Sequence, residues 1–365
     1  MNAYFNKFMR ICLFSALVIV SACSDSGTNN PVVTDKTAEI DRVCDSLIKA
    51  TPGMTGIIVG VWDNDKNFTY TKGIGISDKA HNTPASADML SRVGSITKTF
   101  TVTLALQMVD KGQLGLSDKV SKYFPEYTQL ADVTVEMLCN MTSGIFDYTS
   151  DSTFATTLLS KATEYEAPTE LIKIALKNSL LSAPGKEFHY SSSNTILLGM
   201  IIEKITGQKI ENLIQNNIIT PSGLTNTVLP TVIKMPTTNF LHGYLSGLDF
   251  GELADPSWAW AAGGIISNIY DLKKWANILV KGDLLSVELQ NKRFTGLTDE
   301  DGNIYGLGIT TIGNNLWGHS GTIPGYESIM MTDKAKDRTF VIFFNTYTNT
   351  ASPEYLLKRI LAIIG

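Results

Sequence analysis

Strand-like runs stand at both ends of this chain, and helical spacing fills its middle. Gly56-Ile-Ile-Val-Gly-Val-Trp62 and Phe68-Thr-Tyr-Thr-Lys-Gly-Ile-Gly75 are rich in β-branched and aromatic residues. The polar stretch Asp63-Asn-Asp-Lys-Asn67 between them predicts a hairpin turn. Near the other end, Ser328-Ile-Met-Met-Thr332 and Thr339-Phe-Val-Ile-Phe-Phe344 flank the polar stretch Asp333 to Arg338, and a terminal helix is predicted from Pro353 to Ile364. From roughly Ser95 to Lys281 the apolar positions recur with helical spacing. One helix carries Leu104-Ala-Leu-Gln-Met-Val109 and stops at Gly112; another carries Ile196-Leu-Leu-Gly-Met-Ile-Ile202 and stops at Gly207. No internal repeat is present. The pattern predicts an α/β domain whose sheet is built from distant segments, with a mostly helical insertion at roughly 110–245.

Length and composition narrow the picture. The chain has 365 residues, and its 44% hydrophobic content is enough for one large core or two intimate ones. A formal net charge of −5 with no basic stripe excludes nucleic acid as a partner. At the N-terminus, Lys7 and Arg10 precede the apolar stretch Ile11 to Val20, which ends in Ser21-Ala22-Cys23. A basic start, a short apolar core and small residues before a cut site predict a secretory signal too short to span a bilayer. A cysteine directly after Val-Ser-Ala resembles the bacterial lipobox, which makes Cys23 the expected lipidation site. The expected organisation is therefore a lipoprotein signal peptide at 1–22, a flexible tether at 23–36 and one hydrolase domain at 37–365.

Cys12 is removed with the signal, which leaves Cys44 and Cys139, far apart in sequence and read as two separate buried thiols. His81, His189, His242 and His319 are scattered, and neither HExxH nor CxxC spacing occurs, so no metal is expected.

The candidate chemistry begins at Arg92-Val-Gly-Ser-Ile-Thr-Lys-Thr-Phe100, where Ser95 and Lys98 stand three apart at the mouth of an apolar helical run. That spacing puts both side chains on one helix face. The helix N-terminus favours an alkoxide on Ser95, and burial can bring a lysine from its usual value of about 10.4 toward neutrality, where it serves as a base. Spacing alone decides little, because Ser46-Leu-Ile-Lys49 repeats it in an amphipathic helix with no further motif attached. Two other stretches supply possible accomplices. Phe188-His-Tyr-Ser-Ser-Ser-Asn194 puts Tyr190 in a turn at a helix entrance, where a phenol can relay protons. Leu316-Trp-Gly-His-Ser-Gly-Thr-Ile-Pro-Gly325 offers a glycine-bearing strand edge, with His319 as a polar group able to carry charge.

Taken together these stretches resemble the penicillin-recognising serine hydrolases, in the branch of class C β-lactamases and D-alanyl-D-alanine carboxypeptidases. Ser95-Ile-Thr-Lys98 is similar to the first motif of that family, Tyr190-Ser-Ser192 to its Tyr-x-Asn motif and His319-Ser-Gly321 to its Lys/His-x-Gly motif. Met141-Thr-Ser-Gly144, Ala183-Pro-Gly-Lys186, Ala262-Gly-Gly264 and Tyr305-Gly-Leu-Gly308 between them are equally family-like. The resemblance implies an antiparallel sheet flanked by helices, with a mostly helical inserted domain, the β-lactamase/transpeptidase-like fold. It further implies an acyl-enzyme formed on Ser95, proton traffic shared by Lys98 and Tyr190, and His319 orienting Tyr190 and substrate. The implied oxyanion hole consists of the backbone N–H groups of Ser95 and Thr322. Ser192, Ser320 and Gly321 are the expected substrate contacts, with Trp258 as a candidate wall of the pocket. No cofactor is implied.

Two departures qualify the resemblance. Ser192 occupies the usual asparagine position, and Asn194 falls two places late. Thr310 stands where the most similar carboxypeptidases carry an arginine for the substrate's terminal carboxylate, which leaves esterase or amidase chemistry open. An α/β-hydrolase would need G-x-S-x-G, which Gly318-His-Ser-Gly-Thr322 misses at its fifth place. A β-lactamase, and a non-catalytic sensor of β-lactams or muropeptides, are the remaining alternatives. The expectation is a monomeric, lipid-anchored hydrolase of the bacterial cell envelope, at the outer membrane or periplasmic face. Its expected substrates are cell-wall D-Ala-D-Ala-type peptides, with β-lactams as slow or suicide substrates.

Overall fold

The structure, a computed structural model, describes residues 35–313, 315–348 and 351–365. The expected signal peptide, Cys12, Cys23 and nearly all of the tether lie outside the described residues. Helix α1 (Lys36–Ala50) begins at the last tether position, with the Asp35 carboxylate capping Thr37 N–H.

Nine strands form one antiparallel sheet: β1 (Gly56–Asp63), β2 (Phe68–Asp78), β3 (Thr83–Pro84), β4 (Leu297–Thr298), β5 (Ile304–Tyr305), β6 (Thr310–Ile312), β7 (Leu316–Ile323), β8 (Tyr326–Asp333) and β9 (Arg338–Phe344). Their order across the sheet is β3-β2-β1-β9-β8-β7-β6-β5-β4. The pairing of β1 with β9, from Ile57 opposite Phe344 to Asp63 opposite Arg338, joins the two ends of the domain. Asn345 secures the junction: its side-chain carbonyl accepts from Thr55 N–H and Gly56 N–H, and its amide donates to the Thr55 hydroxyl and the Ile76 carbonyl.

Both faces of the central strands are covered, which is why they read as continuous apolar runs rather than as alternating ones. Ile57, Val59 and Val61 of β1, with Phe340, Ile342 and Phe344 of β9, face the layer made by α1 and the C-terminal helix, where Leu356, Leu357 and Ile360 complete the cluster. Ile58, Trp62, Val341, Phe343 and Met330 point the other way, into a larger core shared with α2 (Thr97–Asp110), α3 (Ser192–Thr206) and α4 (Ile269–Lys281). The C-terminal helix is α5 (Pro353–Ile364). The expected stop at Gly207 is a left-handed C-cap with φ 66°. Between α2 and the second half of the sheet, segment 110–245 also carries the short helices Val135–Cys139, Phe154–Ser160, Pro168–Leu176 and Ile210–Ile214.

Cys44 and Cys139 are free and buried in separate cores. Ser46 and Lys49 are both exposed on α1, on the sheet face opposite α2, so the first S-x-x-K pair is a solvated helix face.

Glu327 of β8 shares the α1/α5 face with Ile329 and Met331 and is buried, with no hydrogen-bond partner for its Oε2. Burial pushes its carboxyl up to about 8, so the folded protein holds it protonated at neutral pH. Folding therefore takes up a proton here. The associated stability is complete below the ordinary value of 4.5 and is lost as pH rises through about 8. In thermal melts Glu327→Gln is expected to be more stable than wild type at alkaline pH, with the advantage shrinking toward acid. Parallel melting curves for the two proteins would refute this account of Glu327.

Candidate active site

The site forms where α2, α3 and the far end of β7 converge. A tight turn, Gly94–Ile96, leads directly into α2, so Ser95 lies at the helix entrance and Lys98 in its first turn. The turn is pressed backbone to backbone against β7. A Cβ on Gly94, whose φ is +52°, would lie 2.8 Å from Thr322 N, and one on Gly321 would lie 2.0 Å from Val93 O and 3.0 Å from Ser95 N. Only glycine at both positions allows this approach. The Ser328 hydroxyl donates to Val93 O at 2.8 Å and fastens the turn from the next strand. The main-chain nitrogens of Ser95 and Thr322 thus come from two segments in direct contact, the arrangement an oxyanion hole requires.

Lys98 is fully buried, and its ammonium nitrogen reaches three oxygens. It lies 2.9 Å from Ser95 Oγ, 2.9 Å from the Ala262 carbonyl and 3.3 Å from Ser192 Oγ. Burial lowers its proton affinity to about 7, while Asp147 opposes the shift. At neutral pH a substantial fraction of Lys98 is an unprotonated amine touching the Ser95 hydroxyl. The segment that supplies Ala262 is bound along α2: Ile265 N–H donates to Thr97 Oγ1 at 3.0 Å and Thr101 Oγ1 donates to Ala261 O at 2.7 Å.

Tyr190 precedes α3. The residue is 38% exposed, so one side of its ring opens to solvent, while its phenol hydrogen-bonds Ser95. The ring centroid lies 5.0 Å from Lys98 Nζ. Burial around the hydroxyl raises its pKa, and the bond to Ser95 pulls the other way.

Ser192, the first residue of α3, turns its hydroxyl to Lys98. Asn194, two residues on, stands about 200° around the helix and cannot reach the same place. Its side chain instead bonds the Ser143 hydroxyl and the Met141 sulfur. Ser192 therefore takes the position of the family's asparagine beside the lysine, and Asn194 anchors the Met141-Thr-Ser-Gly144 stretch.

His319 requires a correction. It was expected as a group able to carry charge, but burial holds its imidazole down to about 3, and the Lys98 charge adds to the effect. Nδ1–H donates to the Ser320 carbonyl, and Nε2 is left to accept from the Tyr305 hydroxyl at 3.0 Å. The ring is a neutral wedge with centroids 6.2 Å from Tyr190 and 5.7 Å from Tyr305. Trp258 is also corrected. At 4% exposure it packs edge-on against Phe154, and its indole N–H donates to the Glu164 carbonyl, so it is a core residue. Ser320 and Thr322 are exposed on the strand face opposite His319. β6 pairs with β7 only from Leu316 to Gly318, so the edge from His319 onward has no strand on that side and is open to an extended ligand.

Sequence reasoning missed Tyr305, Asp147 and the Ala262 carbonyl. Tyr305 and Ala262 stand inside family-like stretches, but a partner for His319 and a main-chain acceptor for Lys98 emerge only in three dimensions. The signal for Asp147 was a lone carboxylate between Ile145-Phe146 and Tyr148, directly after Met141-Thr-Ser-Gly144.

A family profile described as Beta-lactamase matches residues 44–363. The chain belongs to the beta-lactamase family. Within that family it is 28% identical over 298 residues to the Bacillus subtilis (strain 168) protein named putative penicillin-binding protein PbpX, covering 80% of this chain and 71% of the relative. The fold is similar to that of a D-stereospecific amidohydrolase from Streptomyces sp., with TM-score 0.76 and 28% identity over 85% of this chain and 94% of the other. D-amino acid amidase from Ochrobactrum anthropi SV3 has the same fold, with TM-score 0.78 and 24% identity over 91% of this chain and 99% of the other. The beta-lactamase family assignment and the site geometry agree on a serine hydrolase.

Two outcomes are expected. Because Lys98 must give up its proton to act as a base, acylation of Ser95 should rise with pH through about 7 and be lost below it. A pH–rate profile flat across neutrality would remove Lys98 from that role. Gly321→Ala should lower acylation by about 100-fold, since misplacement by about 1 Å has that effect, while far-UV circular dichroism keeps its wild-type shape. Unchanged acylation would show that the contact between β7 and the Ser95 turn is not needed.

Proposed function

We propose that this protein is an acyl-enzyme hydrolase of D-configured amides and peptides. The supporting observation is the buried, readily deprotonated Lys98 in contact with Ser95. Ser95 Oγ attacks the substrate carbonyl as its proton passes to Lys98 Nζ, and the developing oxyanion faces the N–H groups of Ser95 and Thr322. The phenol of Tyr190 delivers a proton to the departing amine. Water then attacks the ester carbonyl, with the same groups working in reverse, and frees the acid and Ser95. Donors of this kind are worth about 3 kcal/mol each to the barrier.

The choice among substrates rests on charge. With His319 neutral and Thr310 at the position of the expected arginine, the described part of the cleft lacks a fixed cation to clamp a free C-terminal carboxylate. A D-alanyl-D-alanine carboxypeptidase would depend on such a clamp, whereas an amidase or D-aminoacyl peptidase would not. The D-stereospecific name of the Streptomyces relative favours the same reading. Penicillins fit as acylating pseudo-substrates, and lipid anchorage at Cys23 in the cell envelope belongs to the same proposal.

The test begins with intact mass after incubation with a fluorescent penicillin, for wild type and Ser95→Ala. An adduct on wild type alone is expected, and an adduct that survives Ser95→Ala would sink the acyl-serine assignment. Hydrolysis rates for D-alanine p-nitroanilide, its L-isomer, and a D-Ala-D-Ala peptide with free or amidated C-terminus come next. The expected order has D over L and an amidated terminus at least equal to a free one. A strong preference for the free carboxylate would return the enzyme to the carboxypeptidases.

A further inference from the structure

Three successive residues at the start of α3 are tied to one loop. The Ser192 N–H bonds the Asp147 carboxylate. The Ser193 hydroxyl donates to Phe146 O at 2.7 Å and accepts from Tyr148 N–H at 3.1 Å. The Asn194 carbonyl oxygen accepts from the Ser143 hydroxyl. Asp147 also accepts from Thr149 N–H at 3.0 Å, which fixes the carboxylate within its own turn. The residue it holds, Ser192, is the one whose hydroxyl touches Lys98.

Around Lys98 the facing groups are the Ser95 and Ser192 hydroxyls, the Ala262 carbonyl, the Tyr190 ring and the neutral His319 imidazole. Among the described residues, Asp147 supplies the carboxylate charge that acts on this ammonium. We propose that Asp147 is a positioning residue for acylation: it fastens the N-terminus of α3 so that Ser192 stays on Lys98, and its charge holds Lys98 as a stronger base than burial alone would leave. The inference rests on the reading of Lys98 as the base that accepts the Ser95 proton. Hydrogen bonds to the loop account for position, and the unneutralised carboxylate accounts for base strength, so the two roles separate on substitution.

Asp147→Asn and Asp147→Ala remove the charge, while Asp147→Glu keeps it on a longer side chain. The readout is kcat/KM for D-alanine p-nitroanilide across roughly pH 5 to 10, beside Ser95→Ala. Without the carboxylate, Lys98 gives up its proton more readily, so the acid limb should move down by about one pH unit. The plateau should fall several-fold, because a weaker base accepts the proton less well. Asp147→Glu should keep the wild-type limb and lose only plateau rate. A limb that stays put in the charge-removing variants, or moves up, overturns the proposal. Loss of the folded state in both of them would assign Asp147 to stability and overturn it equally. Hydrolysis that survives Ser95→Ala is a separate failure, of the acyl-enzyme reading itself, and is settled before the Asp147 profiles are compared.

Discussion

The burial of a single amine organises this molecule. An ammonium removed from water is costly unless it is paired or neutralised, and the fold meets that cost by both routes for Lys98. Its proton affinity drops to about 7 and three oxygens converge on the nitrogen, each from a different part of the chain. Ser95 comes from the turn before α2, Ser192 from the start of α3 and the Ala262 carbonyl from the strip bound along α2. Displacing any of these segments would leave a buried polar group without its partner. The catalytic arrangement and the packing of the helical core are thus the same set of contacts.

The sheet contributes differently. β7 lies against the Ser95 turn through main chain alone, at a separation that side chains at positions 94 and 321 would prevent. Such a contact is rigid because no rotamers intervene, and it sets two amide groups relative to the serine without using a side chain. The exposed edge of β7 beyond Gly318 then lies beside the nucleophile, so an extended substrate can be gripped by backbone hydrogen bonds while its carbonyl approaches Ser95.

Much of this was legible in the sequence, for identifiable reasons. The runs at Gly56 to Trp62 and Thr339 to Phe344 read as strands because burial on both faces keeps them continuously apolar. Gly207 marked a helix end because a left-handed residue was needed there. Ser95, Lys98, Tyr190 and His319 could be singled out because they sit in short motifs of fixed spacing. What stayed hidden depended on distance in space. The neutrality of His319 follows from burial and from Tyr305, fourteen residues away. Trp258 looked like a pocket wall because a tryptophan before Ala262-Gly-Gly264 suits that place, yet Phe154 and Glu164 draw it into the core. Asp147 acts on Lys98 through an element that local pattern could not connect to it.

The pairing of β1 with β9 has a consequence for how the chain acquires its shape. Residues 56–63 have no partner on one side until residues 338–344 exist. Until then the early hairpin of β1 and β2 exposes a long apolar strand edge. Contacts so remote in sequence make the closing of a sheet slow, and unpaired edges invite association with other chains. Newly made chain therefore passes through a prolonged stage in which the central sheet cannot assemble and β7 has not been brought against the serine. Hydrolytic competence arrives at the end of synthesis, as the last strand docks.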